Sequence, residues 1–297
     1  MSNGEPVKLR ALLGDYPNTR ALKQGELRSA RLAFDFAEVK TPSHAFKRVV
    51  RDLEFDVAEL AIATYLMAKA HGKPLVLLPV VVRGKFQHES IVCRADKPLA
   101  PADLAGCRVG IRSHSVTTVT WVRGILQNDY GLDLDRVHWV TFEDPHVAEV
   151  RDPAGFERAA AGKDPMAMLV AGELDAAVLT GANLKDPRVR PVIADPDAAA
   201  KTWYQRYGTV PINHMVVMRE SLLKSSPWLA EEVFRLLADS RKAAGPSKDG
   251  LDPFSLGVEA ARKSLALIVK YSAQQGLIPR PYDVNELFND QARGLRV

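Results

Sequence analysis

The run Leu75-Val-Leu-Leu-Pro-Val-Val-Val82 constrains this chain more than any other stretch. An unbroken apolar segment of this kind has no polar face to give to water, so it reads as a central strand covered on both sides. Covering both faces of a sheet takes helices, and the flanking sequence supplies them in alternation. Val7 to Leu13 alternates apolar and basic residues as a strand does, and Gly14-Asp-Tyr-Pro-Asn-Thr-Arg-Ala-Leu turns into a helix. Arg31 to Val39 alternates again through Leu32, Phe34 and Phe36, and a helix after Thr41-Pro-Ser carries Phe46, Val49, Val50 and Leu53 on one face. Glu54-Phe-Asp-Val-Ala-Glu-Leu-Ala is a short buried strand, and the helix through Tyr65, Leu66 and Met67 closes at Gly72. Strands alternating with helices mean α/β architecture and a largely parallel sheet.

The second part repeats the plan. From Asp103 to Tyr130 the chain reads as a strand with Val109 and Ile111, a hydroxyl-rich loop, and a helix with Val119, Val122, Ile125 and Leu126 at helical spacing. Ser113, Ser115, Thr117 and Thr118 offer caps. The unpaired N–H groups of that helix start also suit a carboxylate or phosphate. Val137 to Phe142 is a further strand leading to Glu143-Asp-Pro-His146. Asp164-Pro165 caps and starts a helix that ends at Gly172, and Asp195-Pro196 starts one through Trp203 and Tyr207. Glu173-Leu-Asp-Ala-Ala-Val echoes Glu54-Phe-Asp-Val-Ala at the same place in the plan, weak support for two lobes of similar topology. Pro211 to Arg219 is a strand. Ser226-Pro227 then opens a helix with Leu229, Val233, Leu236 and Leu237 as its buried stripe, and a second helix spans about Val258 to Gln275.

The 297 residues suffice for two lobes with separate cores. The net charge of +4 comes from lysines and arginines mixed among acids, with no basic block for nucleic acid. No apolar run reaches a membrane span, and Met1-Ser-Asn-Gly-Glu-Pro lacks the parts of a signal peptide, so a cytoplasmic protein is expected. Cys93 and Cys107 are too few for a disulfide framework. Gly106 and Gly110 do not form a dinucleotide loop, which argues against NAD and ATP.

Two segments, Phe86-Gln-His88-Glu-Ser-Ile and Ile212-Asn-His214-Met-Val-Val, each put a histidine at the start of an apolar strand. This pairing resembles the two hinge strands of type II periplasmic-binding-protein folds. Gly14-Asp-Tyr with Thr19-Arg-Ala-Leu, Phe55-Asp-Val-Ala-Glu, Trp121-Val-Arg-Gly with Leu126-Gln and Tyr130-Gly, Asp186-Pro-Arg-Val-Arg, and Pro211 with His214 resemble the branch that contains the 4,5-dihydroxyphthalate decarboxylase-like family. The likeness extends over nearly the whole chain. It implies two lobes, each a mostly parallel sheet flanked by helices, joined by two hinge strands. Lobe 1 is then residues 1–92 plus 216–297 and lobe 2 residues 93–215, with the ligand cleft between them. The chain departs from the family pattern at Gly84, where the family tends to have arginine and Arg83 stands alongside, and at Gln87 and Glu89 around the first histidine. An anion contact is then missing or moved.

The activity implied is cofactor-independent decarboxylation of a hydroxylated aromatic carboxylic acid by protonation of a ring carbon. The alternative on the same fold is a non-catalytic solute-binding protein for an aromatic or other carboxylate. A different lyase, such as a dehydratase of a cyclic carboxylate, is a third reading. Ring protonation needs a general acid near neutral pH, and histidine, with an ordinary pKa of ~6.5, suits it. The candidates are His88 and His214, facing each other across the cleft. Arg20, Arg83 and the loop Ser113 to Thr118, with Thr117 and Thr118 at its end, are candidates for carboxylate binding. Asp15 and Tyr16 follow the first strand's end, and Glu59, Thr64 and Glu143 follow other predicted strands where a ligand's hydroxyls can be reached. His44, His71, His114, His138 and His146 carry no separate signal. No metal-ligand spacing is present, although two histidines and a glutamate from separate strands leave a divalent metal open. The expected partner is a small aromatic carboxylate, with no nucleic acid or membrane, and homo-oligomerisation stays open.

Overall fold

A computed structural model of the chain describes residues 5–247 and 250–296. The first part runs β1 (Val7–Leu12), α1 (Pro17–Lys23), β2 (Leu32–Phe36), α2 (Phe46–Arg51), β3 (Val57–Ala61), α3 (Ile62–Ala70) and β4 (Leu75–Gly84). Then follow β5 (Ile91–Arg94), β6 (Arg108–Ile111), α4 (Thr117–Asp129), β7 (His138–Thr141), β8 (Glu157–Arg158), α5 (Pro165–Val170), β9 (Ala176–Val178), β10 (Val189–Pro191) and α6 (Pro196–Tyr207). The last part is β11 (Ile212–Arg219), α7 (Glu220–Ser225), α8 (Trp228–Ala243), α9 (Val258–Gln274) and α10 (Asp290–Arg293).

Two mixed sheets form, in the orders β2-β1-β3-β11-β4 and β10-β5-β9-β6-β7-β8. Each contains a single antiparallel strand. In the first it is β11, set between β3 and β4, and in the second it is β5, set between β10 and β9. These are the strands that follow the two passages between the sheets, from Gly84 to Ile91 and from Pro191 to Ile212. The boundaries expected at 92/93 and 215/216 fall inside β5 and β11, whereas each of those strands lies wholly in one sheet.

The apolar run is a strand but not a central one, because β4 closes the edge of the first sheet. Its outer side is covered instead by the segment before α9: Val81 N–H donates to Ser255 O, Gly257 N–H donates to Pro79 O, and Val80 pairs with Leu256. Pro79 breaks no ladder in this position, where an edge strand tolerates a missing N–H. Gly84 marks the strand's end. A Cβ there would lie 2.7 Å from Pro253 O and 3.2 Å from Pro211 O, so the backbone leaves no room for the family's arginine.

Among the described residues the first sheet has one apolar cluster and the second has two, and α4 crosses between the lobes. Val119, Val122 and Leu126 pack in the second lobe, while Trp121 and Ile125 join the core of the first. Trp121 Nε1 donates to Ile212 O at 2.8 Å, and the Tyr271 ring of α9 lies so close to Gly124 that a Cβ there would be 2.1 Å from it. The caps on α5 and α6 form as read: Asp164 accepts from Ala167 N–H and Asp195 from Ala198 N–H. Those on α4 and α8 do not. The residues flanking those helices at their starts are Val116 and Pro227, and neither carries a side-chain cap. Among the described residues, no helix is long and apolar enough to cross a membrane.

Candidate active site

The site is built on sheet register. β11 runs antiparallel to β3 with His214 opposite Ala61 and Val216 opposite Glu59. His214 and Glu59 are therefore diagonal neighbours on one face of the sheet, within reach of each other. On its other edge β11 meets β4 through a series of register shifts that set His214 opposite Arg83. Such bulges re-aim side chains, here at the end of the strand that faces the other lobe.

Glu59 is fully buried. Its Oε1 accepts from Tyr16 Oη at 2.7 Å and lies 2.5 Å from His214 Nδ1, and its Oε2 accepts from Gly14 N–H at 2.8 Å. Burial alone would push this carboxyl up, but the bonds from His214, Tyr16 and Gly14 outweigh it and hold the group below the ordinary carboxylate value. Tyr16 shifts the other way, raised first by burial and then by the Glu59 charge. Gly14 makes the arrangement sterically feasible, because a Cβ there would lie 2.3 Å from the Tyr16 ring. With Nδ1 engaged, Nε2 is the nitrogen that His214 offers to a ligand.

His214 opens on a cavity of about 540 Å³ between the two sheets, within the size range of small-molecule sites. Arg83, Thr117, Thr118 and Glu143, all expected from the sequence, line it as well. The walls also carry Lys85, Arg112, His146, Lys163 and Asn213, so cationic groups outnumber the acids Glu143 and Asp164. Arg83 makes no ion pair among the described residues; its guanidinium lies 5.9 Å from the Tyr16 ring centroid. Phe46 supplies an apolar wall, with the His214 and His146 rings edge-on to it at 5.2 and 5.6 Å. The arrangement can hold an anionic ring against Phe46, neutralise carboxylates and present a carboxylate-backed imidazole.

The remaining expected residues lie elsewhere. Glu59 and Tyr16 stand behind His214, and Thr64 stands behind His146, whose Nδ1 is 2.8 Å from Thr64 Oγ1. Asp15 and Arg20 pair with each other at 3.0 Å on the exposed surface and do not line the cavity. Ser113 is buried with its Oγ 3.1 Å from Ser115 Oγ. Thr117 Oγ1 accepts from Ala63 N–H, tying α4 to the start of α3, and Thr118 Oγ1 lies 3.4 Å from Asn213 Nδ2.

His88 does not face His214 across the cleft. It sits in a short 3-10 turn ahead of β5 and is 3% exposed, with Phe86 and Trp203 against its ring. Burial lowers its pKa to about 4. The residue that shares the cavity with His214 is His146. Together with Arg112 it follows the carboxyl end of a parallel strand, β7 and β6 respectively. That position was the legible signal for both, because such ends line the crevices of α/β sheets. Among the described residues no group of three or more His, Cys, Asp or Glu side chains is arranged to hold a metal ion.

No family model matches the sequence. Individual relatives do. The chain is 30% identical over 251 residues to 4,5-dihydroxyphthalate decarboxylase of Comamonas testosteroni, covering 80% of this chain and 76% of that protein. It is 31% identical over 212 residues to the Pseudomonas putida protein of the same name, covering 67% of this chain and 82% of the relative. Among solved structures, the alkanesulfonate-binding protein SsuA of Xanthomonas axonopodis matches with a TM-score of 0.61 and 16% identity over 96% of this chain and 99% of that one. The desulfurization enzyme DSZB matches with a TM-score of 0.55 and 15% identity over 96% and 97%. These structures share the two-lobed periplasmic-binding-protein fold. The chain belongs to the 4,5-dihydroxyphthalate decarboxylase family, a family of carboxy-lyases.

Proposed function

We propose that the chain decarboxylates 4,5-dihydroxyphthalate or a close hydroxylated aromatic dicarboxylate, without an organic cofactor or metal. The observation that carries this reading is the buried Glu59 carboxylate bonded to Nδ1 of a histidine that lines a cation-rich cavity. A carboxylate at Nδ1 is the counter-charge that an imidazolium needs, so Nε2 can carry the proton to be delivered.

In the proposed step, Nε2–H of His214 protonates the ring carbon bearing the leaving carboxylate. The hydroxyl para to that carbon, its proton released to solvent beforehand and regained by the product, supplies the electron density as phenolate. As CO2 leaves, the electron pair of the breaking carbon–carbon bond returns to the ring. His214 then takes a proton back from solvent, and the turnover consumes one proton overall. Glu59 orients the imidazole, and Tyr16 and Gly14 orient Glu59. Arg83, Lys85 and the start of α4 offer charge and N–H groups to the carboxylates.

The test is turnover of 4,5-dihydroxyphthalate by EDTA-treated protein, following CO2 and the dihydroxybenzoate product, with thermal stabilisation read in parallel. CO2 release by the EDTA-treated protein is the expected result. The fold shared with sulfonate-binding proteins favours a second reading, capture of a carboxylate without chemistry. Stabilisation by ligand with no product would select it.

A further inference from the structure

His146 is 6% exposed and still lines the cavity. Its backbone is clamped, because Arg51 donates through Nε to His146 O at 2.8 Å and through Nη2 to Pro145 O at 2.7 Å. Its Nδ1 lies 2.8 Å from Thr64 Oγ1, and Thr64 is fully buried with no other hydrogen bond from its hydroxyl among the described residues. Were Nδ1–H the donor, the Thr64 proton would be buried without an acceptor, at a cost of ~1–3 kcal/mol. Thr64 therefore donates, Nδ1 accepts, and an uncharged ring carries its proton on Nε2, which has no hydrogen-bond partner among the described residues.

Burial is the main reason the ring stays uncharged, with Arg112, Lys47, Arg51 and His214 adding repulsion, so that its pKa falls to about 3. Arg112 lines the same cavity. Its Nε is buried without a hydrogen bond, 3.4 Å from Glu143 Oε2 in a loose ion pair. The His146 ring and the part-exposed Arg112 side chain thus line the cavity together, with the Glu143 carboxylate beside Arg112.

We propose that His146 Nε2–H, held in that tautomer by Thr64, binds the substrate carboxylate that is not released, together with the exposed end of the Arg112 guanidinium. The identity of the ligand rests on the decarboxylase reading, whereas the donor geometry does not. Thr64 is then a positioning residue that acts through His146.

Phthalate tests this without turnover, since it lacks the hydroxyl that the chemistry needs. Calorimetry on the wild type, Thr64→Val and Thr64→Ser should show phthalate binding about tenfold weaker in Thr64→Val. Thr64→Ser should restore phthalate binding. Nitrogen-15 NMR should find the His146 proton on Nε2 in the wild type. Unchanged phthalate affinity in Thr64→Val or a wild-type Nδ1–H tautomer would each overturn the proposal. If 4,5-dihydroxyphthalate yields no CO2 while phthalate binding still depends on Thr64, the reaction is wrong and the carboxylate subsite stands.

Discussion

Replacing Glu59 by glutamine isolates the charge behind His214 with almost no change of shape. Three donors converge on this carboxylate: His214 Nδ1 and Tyr16 Oη on one oxygen, and Gly14 N–H on the other. A glutamine has one oxygen and one NH2 group, so either orientation turns the NH2 toward a donor. The resulting buried mismatch should cost ~1–3 kcal/mol of stability. Turnover should fall further, because the imidazolium loses a charge-assisted hydrogen bond worth ~1.5–3 kcal/mol, or about 10- to 150-fold in kcat. KM should change little, since Glu59 does not line the cavity. Steady-state CO2 release at pH 7 with urea unfolding alongside measures both effects. A Glu59→Gln enzyme whose kcat stays within twofold of wild type, or whose loss lies wholly in KM, would refute the assignment of His214 as the acid.

Gly14→Ala should displace the Tyr16 ring and cost ~1–3 kcal/mol by overpacking, read as a lower urea midpoint; an unchanged midpoint would contradict the close approach at Gly14. His88→Leu should keep kcat within threefold, because His88 packs on Trp203 outside the cavity; a hundredfold loss would return it to the chemistry. His88, His114 and His146 have pKa values lowered to about 4, 3 and 3, each chiefly by burial. The unfolded chain thus binds more protons below pH ~6.5, and stability should fall as pH drops from there toward 4, by at most ~1.4 kcal/mol per pH unit for each histidine. Urea unfolding at pH 7 and pH 5 checks this, and equal free energies would contradict it. Arg83→Ala should raise KM for the dicarboxylate about tenfold with a smaller effect on kcat, since Arg83 lines the cavity and has no carboxylate partner among the described residues.

Local pattern carried most of the elements. The strand read from Val7 to Leu13 is β1, the apolar run is β4, and the helix from Val258 ends one residue before the expected Gln275. Periodicity and caps are properties of neighbouring residues, so they survive whatever the tertiary packing does. The edge position of β4 was not legible, because the covering segment around Ser255 lies far along the chain. The hydroxyls before α4 were legible as a polar cluster, but not that Thr117 would tie to Ala63 rather than cap the helix.

By itself, the sequence determined the α/β class, the two lobes and the family resemblance, and it named His214, Glu59, Tyr16 and Arg83 as candidates. Only the tertiary structure decided which of these meet. His214 and Glu59 are 155 positions apart, and their contact depends on the antiparallel register of β11 against β3. A shift of one residue would turn one of the two to the opposite face of the sheet. The same dependence separates the histidines: His88 packs into an aromatic cluster ahead of β5, while the loop after β7 brings His146 to the cavity. Spacing along the chain holds no record of such contacts, because long-range strand pairing is chosen by which strands bury their faces together within one sheet.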